Sequence, residues 1–184
     1  MNQQPHIASP SSTTESGIAR DLDAQTPFFA VSLPKLLVLS VCTLTLYEVY
    51  WFYQNWKRIA AREPGKYLSA PRALFAVLFC YQCFAKIRDF DARLSASSTL
   101  AAVPLAIGWI LATVMWKLPD PYWWVAMSAV IFMLPVQAHA NAINAAMVPN
   151  HASNAKFTPW NWVAIVLGDI TVVLAVLGTL LPHR

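Results

Sequence analysis

Residues 44–59 read LTLYEVYWFYQNWKRI, and the depth at which this stretch sits decides the fold. An apolar run enters from Leu36, six of the ten residues from Tyr47 to Trp56 are aromatic, and the chain turns basic at Lys57 and Arg58. Aromatic rings of this kind favour the headgroup layer of a bilayer, and Lys and Arg just beyond them mark its cytoplasmic side. Tyr50, Trp51, Tyr53 and Trp56, closed by Lys57 and Arg58, are therefore expected to be interfacial anchors of a first membrane helix. An aromatic cage for a ligand is the alternative, but no second aromatic cluster is obviously placed to face it.

The composition agrees with a membrane setting. Of 184 residues, 57% are hydrophobic and 12% charged, and the mean hydropathy is +0.45. A soluble domain carries about twice that charge fraction. Residues 1–26 are polar and Ser-, Thr-, Pro- and Gln-rich, which predicts a disordered tail followed by a membrane domain over 27–184. That tail lacks the basic and then apolar order of a cleaved signal peptide. Helices are expected at about 34–55, 99–116, 122–146 with a kink at Pro135, and 160–181, with a short one at 72–87. The apolar core of the short one has 13 residues, 73–85, against the roughly 20 that a crossing needs.

The expected fold class is thus all-α. It is an integral membrane bundle of four transmembrane helices plus one short interfacial or re-entrant helix, with five transmembrane helices as the alternative. Eight of the 13 Lys and Arg lie between Lys57 and Arg93: Lys57, Arg58, Arg62, Lys66, Arg72, Lys86, Arg88 and Arg93. This places the loop 54–98 in the cytoplasm and the N-terminal tail and the C-terminus outside. If 73–85 crosses, the C-terminus lies inside.

The segments PKLLVLSVCTLTLYEVYWFYQNWKRI, PRALFAVLFCYQCFAKI, LPDPYWW with LPVQ, and WNW with a late Gly-containing helix resemble a family of small bacterial multipass inner-membrane proteins. This is an uncharacterised family, a domain of unknown function with a YWFYxNWK-type signature. The likeness runs over most of residues 28–181 and is most specific in YWFYQNWK. It implies a bacterial inner-membrane protein and carries over no activity and no site residues.

Two carboxylates fall in apolar runs. Asp169 is tenth in the 22-residue run Trp160–Leu181, near the expected midplane, where an ionised Asp costs about 3 kcal/mol. Beside it run Ala164, Gly168, Thr171, Ala175 and Gly178, small residues that let helices approach closely. A hydrogen bond from Asp169 to Thr113, Ser128 or another helix is expected, and a proton or ion relay is the sharper alternative. Glu48 precedes Lys57 by nine residues, about 13 Å along a helix. It is expected to dock the short helix through Arg72, Gln82 or Lys86; titration during transport is the alternative.

Gln137, Asn141 and Asn144 form a polar stripe at i, i+4 and i+7. Such amides bridge packed membrane helices, or they line a polar vestibule leading toward Asp169. Cys80 and Cys83 make a CxxC on a helix, two small buried residues or a thiol redox pair. His6, His139, His151 and His183 are scattered, with no metal-ligand spacing, no phosphate-binding loop and no nucleophile elbow. No catalytic residue, cofactor or metal is therefore expected, and no nucleic acid. The expected partners are the bilayer, anionic headgroups at the basic loop 57–93, and a homo-oligomeric or membrane-protein neighbour. The function expected is a non-enzymatic accessory or interaction module. A small carrier or ion conduit using Asp169 and Glu48 is the alternative, and a thiol redox protein using Cys80 and Cys83 a further one.

Overall fold

The computed structural model describes residues 26–63, 65, 68–119 and 122–180. The expected disordered tail, apart from Thr26, lies outside them, as do Lys66 and Leu181. Every regular element among the described residues is helical: α1 Leu33–Cys42, α2 Leu46–Arg62, α3 Ser69–Leu74, α4 Ala76–Ser95, α5 Ala102–Val114, α6 Ala129–Met147 and α7 Pro159–Leu180. Short 3-10 turns at Met115–Lys117 and Tyr122–Ser128 join α5 to α6.

The expected single helix at 34–55 is not formed; the chain breaks at Thr43–Thr45 and doubles back. Leu44 and Thr45 take positive φ, 50° and 70°, a conformation that costs a non-glycine residue about 1–3 kcal/mol. Side-chain and backbone bonds offset that cost. Thr43 Oγ1 donates to the Leu39 carbonyl at 2.6 Å and accepts from the Tyr47 amide at 2.9 Å, while the Thr45 amide reaches the Ser40 carbonyl at 2.8 Å.

The reversal follows from what lies before α1. The Phe29 ring is 5.7 Å from Tyr50 and 5.3 Å below the Arg58 guanidinium, and Arg62 donates to the Pro27 carbonyl. In one straight helix, residues 33 and 62 would stand about 45 Å apart. The start of α1 and the end of α2 therefore share one end of the bundle. This corrects the expectation that residue 34 and the loop 54–98, joined by one helix, lie at opposite ends.

The other helices keep this frame. Phe52 stacks on Phe84 at 6.0 Å, and Phe28, beside Arg62, meets Phe90 at 5.5 Å, so α4 runs alongside α2 in the same direction. α5 returns, with Trp109 against Phe52 at 5.0 Å. α6 comes back again, its Gln137 beside Trp51 and its Asn144 beside Phe28. The helix passes through Pro135 without interruption. The short helix expected at 72–87 is split at Phe75 and extends to Ser95. At its tip Leu74, Phe75 and Leu78 are 72%, 55% and 71% exposed.

The 3.6-residue period of α2 sorts the opening stretch into two faces. Glu48, Trp51, Phe52, Asn55, Trp56 and Ile59 are buried, whereas Tyr50, Tyr53 and Lys57 face outward. Trp51 and Trp56 therefore cannot serve as headgroup anchors: both are fully enclosed, with Trp51 edge-on to Phe84 at 6.2 Å. Of the expected belt, Tyr50 and Tyr53 remain on the surface, and Arg58 folds back onto Gln54 and Phe29.

Two helical stretches are long and apolar enough to cross a bilayer, Tyr122–Met147 and Pro159–Gly178. Of the second, 6% is buried, and it packs chiefly on α1. α1 and Ala102–Lys117 are shorter apolar helices.

Candidate functional site

The polar stripe on α6 does not open into a vestibule. It binds the backbone of the chain's own residues 28–31, which have no regular structure and thread into the core. Asn144 grips Phe28 at both ends, its Oδ1 accepting from the Phe28 amide at 2.9 Å and its Nδ2 donating to the Phe28 carbonyl at 3.0 Å. Asn55 Oδ1 accepts from the Phe29 amide at 3.0 Å. Gln137 Nε2 donates to the Phe29 carbonyl at 3.0 Å, Asn154 Nδ2 to that of Ala30 at 3.1 Å and Asn141 Nδ2 to that of Val31 at 2.9 Å.

Five side-chain amides thus replace the neighbouring strand that an extended segment otherwise needs. A buried backbone group without a partner is costly, and here the partners come from α2, α6 and the loop before α7. The amides also support one another. Gln137 Oε1 accepts from Trp51 Nε1 at 2.5 Å and its Nε2 reaches Asn141 Oδ1 at 2.7 Å, while Asn55 Nδ2 holds the Trp51 carbonyl at 3.0 Å. Asn55 and Asn154 belong to this site and were not in the expected stripe. The signal for them is chemical: an amide in or beside an apolar helix needs a hydrogen-bond partner.

Glu48 is 1% exposed, and neither Arg72 nor Lys86 meets it. Its Oε2 accepts from Trp109 Nε1 on α5 at 2.7 Å, and Oε1 is buried with no hydrogen-bond partner. The expected docking pair is replaced for a geometric reason: Glu48 sits in the first turn of α2, beside the reversal. Lys86 instead pairs with Glu63 at 2.7 Å, near the other end of α2. Arg72 donates to Gln82 Oε1 at 2.7 Å and lies over the rings of Trp56 and Phe79.

Asp169 does not meet Thr113 or Ser128. It lies beside the Cys42 thiol at the end of another helix, α1; Ser128 Oγ bonds the Val125 carbonyl at 2.7 Å, and Thr113 Oγ1 has no partner. The reason is the α1–α7 crossing. A Cβ on Gly168 would overlap the Cys42 carbonyl oxygen, so only glycine allows this approach. Lys35 Nζ ties the other end of α1 to the start of α7, donating to Asn154 Oδ1 and the Lys156 carbonyl at 2.8 Å each.

Cys80 and Cys83 are fully buried in α4. His139 has Nδ1 3.0 Å from Asp91 Oδ2, which also accepts from Ser98 Oγ at 2.5 Å. On the basic surface Arg88 bonds Asp89 at 2.8 Å, which holds its guanidinium pKa above the ordinary value. No protein-family model, curated protein or solved structure matches the chain.

Proposed function

We propose that the protein is a non-enzymatic multipass inner-membrane protein, an accessory or interaction module built around a self-filled helical core. One observation carries this reading: the buried amides that could line a polar path are spent on the chain's own residues 28–31. Much of what remains exposed is apolar helix. Almost the whole of α7 is open to lipid or to the helix of a membrane partner or second copy.

In this arrangement three stretches cross, Ala102–Lys117, Tyr122–Met147 and α7, while α1–α2 and α3–α4 dip in from one side and return. The basic residues from Lys57 to Arg93 put that side in the cytoplasm. Trp160 and Trp162, 80% and 58% exposed at the start of α7, provide a belt there, and Trp116 and Tyr122, 61% and 62% exposed, provide one on the far side. The likeness of YWFYQNWK to small bacterial inner-membrane proteins supports the same setting.

The tail before Thr26 is then cytoplasmic and the C-terminus outside. A single cysteine at Ser11, with Cys42, Cys80 and Cys83 replaced, is expected to react with a membrane-impermeant reagent only after lysis. A reporter that works only after export is expected to be active when fused after Arg184. Labelling of Ser11→Cys in intact cells would refute this topology. The functional reading is tested by proton flux in liposomes. No flux above empty vesicles is expected; a flux that Asp169→Asn abolishes would replace the accessory reading with a carrier.

A further inference from the structure

Asp169 stands midway along the 22-residue helix α7 and is exposed. The more covered side of the helix runs through Ile165, Gly168 and Val172, where α7 crosses α1. Asp169 lies round from that side, with the Cys42 thiol beside it. A thiol is a weak donor, and no other side chain among the described residues bonds Asp169. A carboxyl that faces hydrocarbon at mid-membrane depth is costly, and ionisable side chains within membranes almost always turn toward protein.

The neighbours of Asp169 decide what can cover it. Val166, Asp169 and Val173 follow one another at steps of three and four, and Val176 adds a further step of three. They form one stripe, in which Val166 and Val173 are 55% and 56% exposed. Alternating steps of three and four let two helices pack side by side, and a single polar residue among the apolar ones fixes their register. Valine is held largely to one rotamer in a helix, so pairing through this stripe costs little side-chain freedom. Lipid tails offer Asp169 no hydrogen bond, and a different helix would need a polar group of its own at the same depth. A second copy brings one without further condition. Copies inserted the same way lie parallel, and a twofold axis sets each residue of the seam opposite its own counterpart. The two Asp169 carboxyls then meet, and one proton between them gives both a partner, the protonated group donating to the other.

We propose that the open face of α7 docks a second copy of this chain: two α7 helices pair in parallel along Val166, Asp169, Val173 and Val176, with the Asp169 carboxyls bonded to each other across the twofold axis. The α1 contact through Gly168 lies on a different side of the helix, so both can form at once. The pairing rests on the reading of α7 as a membrane-crossing helix.

Cysteine cross-linking of the full chain in its native membranes tests it. With Cys42, Cys80 and Cys83 replaced by serine, Val166→Cys and Val173→Cys are each expected to give a disulfide-linked dimer on mild oxidation. Leu167→Cys and Leu174→Cys, on the far side of α7, are expected to give at least tenfold less. Leu167 and Leu174 are 61% and 63% exposed, so access alone does not produce the contrast. Added to Val173→Cys, Asp169→Asn is expected to keep the cross-link, because an amide both donates and accepts, and Asp169→Leu to lower it at least fivefold. All these positions are exposed, which leaves the fold of the single chain intact. Equal cross-linking on both sides, none at Val166→Cys and Val173→Cys, or a full yield with Asp169→Leu overturns the pairing. A cross-link from Val173→Cys to a protein of another mass in place of the dimer also overturns it, and gives the face to a different partner. Chain that fractionates as soluble without detergent overturns the membrane placement instead, so the two failures are distinguishable.

Discussion

Asn144→Leu is expected to release residues 27–31 from the bundle and to be one of the two most damaging single substitutions. The side chain satisfies both the amide and the carbonyl of Phe28, in a core where Phe28 and Asn144 are both 0% exposed. A buried polar group deprived of its partner costs about 1–3 kcal/mol, so the two together cost about 2–6 kcal/mol. The effect is graded by chemistry. Asn144→Asp keeps an acceptor for the Phe28 amide but loses the donor to its carbonyl, and is expected to fall between Leu and wild type. Thermal unfolding in detergent, with proteolysis near Pro27 as a local readout, measures both. A wild-type midpoint and unchanged protection in Asn144→Leu would mean that the amide pair does not hold the segment.

Gly168→Val is expected to separate α7 from α1. Its Cβ would overlap the Cys42 carbonyl, and neither backbone can yield by rotating a side chain. Overpacking costs about 1–3 kcal/mol where side chains can adjust, and a backbone clash belongs at or above the upper end. The consequence can be read with the native Cys42. In a Cys80→Ser/Cys83→Ser background, Asp169→Cys is expected to form a disulfide with Cys42 on mild oxidation, and Gly168→Val to abolish it. Gly178→Val is the control, because a Cβ there meets nothing within 4 Å. An undiminished cross-link in Gly168→Val would refute the crossing.

Much of the architecture is legible in the residues. Apolar runs mark the helices: those at 122–146 and 160–181 overlie the helical stretches Tyr122–Met147, a 3-10 turn continued by α6, and Pro159–Leu180. The Gly168 stripe identifies a close crossing. The reversal was hidden because LSVCTLTLY contains no Gly or Pro, so hydropathy runs through it unbroken. Its one local sign is Thr45-Leu46-Tyr47-Glu48, the spacing that opens many helices, embedded where a helix was already assumed. That assumption misplaced the aromatic rings: headgroup preference and core packing favour the same residues, and only the partners Phe84 and Gln137 separate Trp51 from Tyr50. Residues 28–31 were illegible for another reason. A non-helical segment inside a bundle has no periodicity, and its partners are spread over Asn55, Gln137, Asn141, Asn144 and Asn154.

The Phe28–Asn144 clasp also sets a schedule for biosynthesis. Its two halves are separated by 116 residues, and ribosomes add about 5–20 residues per second, so the segment waits on the order of ten seconds for its partner. During that interval α1 and α2 have been made, but their mouth is still open and Phe28 and Phe29 have no enclosing core. The fold therefore closes from its beginning last. A substitution at Phe28 or Phe29 is set to show itself as a late assembly defect, after α6 has been made, rather than as a failure of α1 and α2 to form.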